Sequence, residues 1–120
     1  MPKEISIKDA KLNIEIADTQ LKRSLGLMYR EDLEPESGML FAFPQSQDLS
    51  FWMKDTHIPL SIAYIDENGI IINIEDMAPL SLDSVTSNEP CRYALEVNRG
   101  WFEENGINAG DQIRGFHGRK

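Results

Sequence analysis

Two apolar runs, Leu60 to Ile65 and Ile70 to Ile74, are separated by Asp66-Glu67-Asn68-Gly69. No other feature of this sequence constrains the fold more. An Asn-Gly pair between apolar runs is the strongest short-range signal for a β-hairpin, because both residues accept the positive φ that tight hairpin turns demand. The spacing therefore predicts two antiparallel strands, with Asn68 and Gly69 both at positive φ.

Strand signals recur along the rest of the chain. Ile5 and Ile7 alternate with polar residues, as do Leu12, Ile14 and Ile16. Such period-two runs bury one face. With Asp9-Ala10 between them, the two runs make either a hairpin or one bulged strand. Met39 to Phe43 is apolar at both alternating sets, as expected of a strand covered on both sides. Pro44 to Asp48 reads as a loop, and Leu49 to Lys54 as a strand with Phe51 and Met53 on one face and Trp52 and Lys54 on the other. Residues 78–91 lack periodicity and read as a long surface excursion. Tyr93, Leu95 and Val97 form another strand, and Gln112 to Phe116 a last one after Gly110-Asp111.

Helical signals are few. Asp18 or Thr19 can cap a short helix. Leu21, Leu25 and Met28 fall on one helical face and predict a helix ending near Met28 to Arg30. Trp101 to Asn105 suits one helical turn stopped by Gly106. The acidic segment 31–36 reads as a solvated rim. Gly38, Gly69, Gly100, Gly106 and Gly110 read as turn residues. Many short strands with one short early helix and a helical turn near the C-terminus predict a mainly β fold, a small closed or nearly closed β barrel. With 120 residues, residues 1–120 are expected to form one domain.

Charge and cysteine content narrow the functional classes. The 20 acidic and 12 basic residues give a net charge of −8. That balance opposes a phosphate backbone, so no nucleic-acid partner is expected. No apolar run reaches the length that spans a bilayer. The lone Cys91 can make no internal disulfide and supplies no thiolate cluster. The start, Met1-Pro2-Lys3-Glu4-Ile5, does not read as a signal peptide. A native start would suit the cytoplasm, and a trimmed mature form the periplasm or another exported location.

Several segments together resemble the DUF192 (UPF0127) family. They include Arg23-Ser24-Leu25-Gly26-Leu27-Met28-Tyr29-Arg30, Gly38-Met39-Leu40-Phe41-Ala42-Phe43, Phe51-Trp52-Met53-Lys54-Asp55-Thr56, Ile58-Pro59-Leu60, Leu95-Glu96-Val97-Asn98 and Gly100-Trp101. The resemblance runs in order from about Leu12 to Ile113. It implies a compact, barrel-like β fold and no assigned activity, and members often carry an export signal or lipoprotein leader. Two positions depart from the family pattern. Asp55 stands where Asn is usual and Ser61 where Asp is usual, so a carboxylate is gained at 55 and lost at 61. The changes compensate each other if both side chains reach one spot.

The polar residues inside these words are Arg23, Arg30, Trp52, Lys54, Asp55, Thr56 and Glu96. They are the candidate site of a ligand- or partner-binding module. Trp52 offers a flat apolar platform beside the Lys54 cation, which suits a sugar ring or a small polar or anionic ligand. Against this stands a purely structural role, with Arg23 and Lys54 paired to Glu96 or Asp55. The alternative is a small hydrolase-like enzyme using Asp55 or Glu96. A structural, envelope-associated protein without a small ligand is a third reading. Ser50 and His57 are close in sequence but lie in no nucleophile motif. Met28, Met39, Met53, His57 and Cys91 are soft-metal donors in type, yet they lack ligand spacing. The bland reading places the methionines in the core, so no metal and no cofactor is assigned.

Overall fold

The computed structural model describes residues 4–115. Strands β1 (Glu4–Ile7) and β2 (Ala10–Ala17) pair antiparallel, with Ile5 opposite Leu12. Of the two readings of this segment, the hairpin is the one formed. It turns through Lys8-Asp9, with Lys8 at φ 54°.

Helix α1 (Gln20–Leu25) is capped by Thr19, whose side chain accepts the Lys22 N–H at 3.1 Å. The helix stops short of the expected end at Met28 to Arg30, because the chain leaves helical geometry at Gly26, whose N–H closes onto the Lys22 carbonyl. No residue of α1 is buried, and Leu21 is 79% and Leu25 49% exposed. The apolar face of α1 is turned to solvent.

Strand β3 (Ser37–Gln47) runs parallel to β2, so the segment containing α1 is a crossover between parallel neighbours. It is longer than predicted, since most of the expected Pro44–Asp48 loop continues the strand. Its pairing is irregular between Ala42 and Gln47, where Pro44, lacking an N–H, is tolerated. Gly38 is not a turn residue. It lies within β3, and a Cβ there would come within 2.7 Å of the Glu96 carbonyl oxygen.

Only Ser50–Phe51 of the expected 49–54 strand is extended, as β4. The predicted hairpin forms from β5 (Leu60–Ile65) and β6 (Ile71–Met77). Its turn differs from the expected one. Gly69 has φ 85°, whereas Asn68 is not at positive φ. The Asp66 carboxylate instead accepts the N–H groups of Asn68 and Ile70 and organises a five-residue connection, Asp66 to Ile70. The 78–91 excursion contains one short strand, β7 (Val85–Thr86), paired with β4. Then follow β8 (Cys91–Asn98), α2 (Trp101–Glu104) and β9 (Ile113–Arg114). The expected end of the last strand, Phe116, lies outside the described residues, as does His117.

The main sheet has seven strands in the order β6-β5-β8-β3-β2-β1-β9. It curls into a half-barrel whose two ends meet where Ile70 bridges Gln112. The fold is the mainly β, nearly closed architecture expected from the strand pattern. One core fills the inside of the curl, around Ile5, Leu12, Leu40, Leu95, Trp101 and Phe102. A second lies on the outer face of β3, β8 and β5, where loops carrying Leu27, Leu49, Met53 and Ile58 cover Phe41, Ile62 and Tyr64. Double coverage explains why every residue of β5 is buried. Met39, Met53 and Cys91 belong to this second core, whereas His57 is exposed. Among the described residues no cluster of three or more His, Cys, Asp or Glu could hold a metal ion. No helix among them is long and apolar enough to cross a membrane.

Candidate functional site

Glu96 sits in the middle of β8, opposite Met39 of β3 and Ile62 of β5. Its side chain therefore projects from the outer face of the sheet, into the second core. It is 4% exposed, and among the described residues no hydrogen bond or ion pair engages its carboxyl. Such a group is costly to bury charged. Desolvation alone pushes its pKa up to about 8. Glu96 is thus a neutral acid at pH 7 with an unused proton.

The covering loops leave an opening above Glu96, a cleft of about 300 Å³. Arg23 from α1, Thr56 from the loop after β4 and the rings of Phe41, Phe43, Phe51 and Trp52 line it. The Arg23 guanidinium donates to the Ala42 carbonyl at 2.8 Å and lies over the Phe43 ring, 5.0 Å from its centroid. It is therefore fixed to the middle of β3 and is not the partner of Glu96. Thr56 is buried, and its hydroxyl donates to the Lys54 carbonyl at 3.0 Å. Phe51 meets Phe41 edge-on at 4.8 Å, so the aromatic walls brace one another. Trp52 is 47% exposed at the rim, which a core aromatic would not be.

Four of the seven sequence candidates, Arg23, Trp52, Thr56 and Glu96, line this one cleft. Three do not. The Lys54 ammonium lies 5.5 Å from the Trp52 ring centroid, on the platform itself. Asp55 accepts a 3.3 Å hydrogen bond from the Tyr29 hydroxyl. Arg30 forms a two-bond ion pair with Glu15 at 2.6 and 2.9 Å, over β2. That guanidinium holds the Glu15 carboxyl below the usual carboxylate range. The pairing of Arg23 or Lys54 with Glu96 or Asp55, entertained as a structural role, does not occur among the described residues. Nor do Asp55 and Ser61 reach one spot. The Ser61 hydroxyl donates to Asp76 at 2.9 Å and lines a different cavity. Ser50 lines the cleft, but no hydrogen bond joins it to the exposed His57.

Sequence patterns gave no notice of Phe41, Phe43 and Phe51 as cleft walls. Apolar periodicity marks them as packed but does not reveal where a covering loop leaves a gap. The detectable signal was a carboxylate inside an otherwise apolar stretch of β8, Tyr93-Ala94-Leu95-Glu96-Val97.

Residues 3–115 match the profile of the DUF192 family, "Uncharacterized ACR, COG1430". The chain belongs to the DUF192 family. A UPF0127 protein of Pyrococcus horikoshii is 25% identical over 108 residues, which cover 86% of this chain and 87% of that one. A UPF0127 protein of Pyrococcus furiosus is 22% identical over 111 residues, covering 88% and 89% respectively. The crystal structure of a candidate transcription regulator from Sinorhizobium meliloti superposes with a TM-score of 0.90 at 33% identity, covering 95% of this DUF192 chain and 93% of that protein. A Novosphingobium aromaticivorans protein of unknown function gives a TM-score of 0.89 at 28% identity, covering 92% and 83%. The half-barrel of this DUF192 chain is thus shared with both of these solved structures.

Proposed function

We propose that this DUF192 chain is a binding module for a small polar ligand, taken up in the cleft above Glu96. The observation that carries this reading is the Glu96 carboxyl, buried without a partner among the described residues at an opening lined by aromatic rings. Leaving a buried polar group unsatisfied costs about 1–3 kcal/mol, and selection for folding alone favours its removal. A ligand that supplies the missing partner offsets that cost. The cleft lies at the small end of the usual range for ligand pockets, about 300–1,000 Å³. It combines an apolar wall with a few polar groups, as such sites do.

A second reading has support of its own. A carboxylic acid that keeps its proton at neutral pH inside an apolar cleft suits a general acid, so a small enzyme would use Glu96. Asp55, which lies outside the cleft lining, gives that reading no help. The transcription-regulator description of the Sinorhizobium protein favours no DNA contact here, because 20 acidic against 12 basic residues repel a phosphate backbone.

The test is a thermal-shift screen of wild type and Trp52→Ala against sugars, amino acids, amines and short peptides. A ligand present at a hundredfold excess over its Kd stabilises the native state by about 2.7 kcal/mol. The expected result is a raised midpoint in wild type that Trp52→Ala diminishes. Equal shifts in both proteins would place binding away from this cleft and sink the proposal.

A further inference from the structure

The chemistry of the cleft narrows the ligand class, and this step rests on the cleft being a ligand site. Besides Glu96, the single charged side chain lining it among the described residues is Arg23, already engaged by Ala42 and Phe43 and only half-buried. Every other element packed around Glu96 contributes uncharged groups. Met39 and Phe41 come from β3, Ile62 and Tyr64 from β5, and Thr56 from the loop. The Tyr64 hydroxyl is itself committed, donating to the Val85 carbonyl. What remains unsatisfied is one carboxyl, set among faces and edges of four aromatic rings.

Two ligand classes could complete it. A neutral or anionic ligand would accept the Glu96 proton in one hydrogen bond, and an anion would also meet the Arg23 charge at the cleft wall, but neither gains from the faces of the aromatic rings. A cation gains from both, since an ammonium pairs with the ionised carboxylate and is attracted to ring faces. The chain's net charge of −8 also concentrates cations at its surface and repels anions. The rim points the same way for the rest of the ligand. Leu25 and Trp52 at the mouth expose apolar surface, as does neighbouring Tyr29. Leu80, exposed too, donates its N–H to the Thr56 carbonyl and so flanks the opening.

We infer that the cleft takes a primary ammonium on an apolar stem, the head meeting the Glu96 carboxylate and the stem lying along Phe43, Phe51 and Trp52. Binding moves one proton, from the Glu96 carboxyl to solvent, as the carboxylate forms its pair with the cation. The same head and stem occur in a free alkylamine and in the lysine side chain of a protein segment.

The full chain, labelled for amide NMR, is titrated with n-butylamine, 1-butanol and pentanoate at pH 6 and pH 8. The expected result is that only the amine shifts the amides of Glu96 and its neighbours. Its apparent affinity rises on the order of tenfold or more between pH 6 and pH 8, because the carboxyl held near pKa 8 must ionise to bind. Glu96→Gln should weaken amine binding at least tenfold and abolish its pH dependence. The wild-type pH dependence tests the assignment even if that variant misfolds. Comparing N-acetyl-lysine amide with the same lysine inside a pentapeptide divides the sources. Equal affinity assigns the site to a free amine, and tighter peptide binding assigns it to a protein segment. If butanol or pentanoate binds and the amine does not, the cleft stands as a ligand site but the ammonium assignment is wrong. If no probe perturbs the cleft amides, the ammonium assignment falls, while the broader screen above decides whether the cleft binds another class.

Discussion

Glu96 couples the stability of this fold to pH. Its ordinary pKa of 4.5 rises to about 8 on burial. Below the ordinary value both folded and unfolded chains hold the proton, and the stability is fully present. Between the two values the unfolded chain has lost the proton that the folded chain keeps, so stability declines as pH rises, by about 1.4 kcal/mol per unit. Above about 8 both forms are ionised and the loss is complete. Glu96→Gln keeps the shape and removes the titration. Urea denaturation should therefore show the variant gaining on wild type by up to roughly 4 kcal/mol from pH 5 to pH 8. A difference that stays flat over that range would mean that the folded protein already carries Glu96 ionised. The Glu15–Arg30 pair behaves differently. Both side chains are more than a third exposed, so solvent screening leaves such a pair little net stabilisation, under about 1 kcal/mol.

At the scale of elements, the site depends on how closely β3 and β8 approach. Gly38 faces Val97 in the register of the two strands. An added Cβ would meet the Glu96 carbonyl oxygen at 2.7 Å, Val97 Cγ1 at 3.0 Å and Leu12 Cδ2 at 3.2 Å. The nearest of these is backbone, which cannot swing aside as a side chain can. Gly38→Ala should cost about 1–3 kcal/mol, the usual penalty of overpacking, and shift the amides of β8 around Glu96. A neutral result in thermal denaturation would mean that the two strands separate freely and that Glu96 is less firmly placed than it looks. Helix α1 contributes otherwise. It buries no side chain, so its cap at Thr19 and the anchoring of Arg23 on Ala42 hold it in place. Leu21 and Leu25 are then free to form apolar surface beside the cleft.

For the molecule as a whole, the half-barrel closes through a narrow seam. The Ile71 N–H donates to the Asp111 carbonyl, the Gly110 N–H to Ile71 and the Ile113 N–H to Gly69, at 2.9, 2.7 and 2.9 Å. Lys8 braces the same region from the β1–β2 turn, donating to the Gly106 carbonyl at 2.7 Å. Strand β9 has only two residues, whereas β3, β5 and β8 share long ladders and two cores. The seam should therefore open locally before the sheet does. Hydrogen exchange should find the amides of Gly110 and Ile113 protected, yet at least tenfold faster than those of Ile62 and Leu95. Equal protection would mean that closure and the central strands unfold as one unit.

The strand pattern was legible because alternation and the apolar hairpin runs are local signals, and so was family membership, because its words are spread in order over nearly the whole chain. Four residues of the candidate cleft were legible for the same reason, each lying inside such a word. The turn at Gly69 shows where local reading stops. Asn-Gly marks the hairpin, but the Asp66 side chain organises a five-residue connection in place of the two-residue turn. Helix α1 shows it again. Its leucine spacing is sound helical patterning, but which way the apolar face points depends on what the rest of the chain leaves room for. Glu96 is the clearest case. Its sequence neighbours say only that it lies on a strand. That its face is covered, that no cation among the described residues pairs with it and that a gap lies above it all follow from segments more than thirty residues away, Arg23, Phe41, Phe51 and Thr56 among them. The local sequence determines which residues alternate. Only tertiary packing decides which face is sealed, because burial is a property of what lies opposite and not of the strand itself.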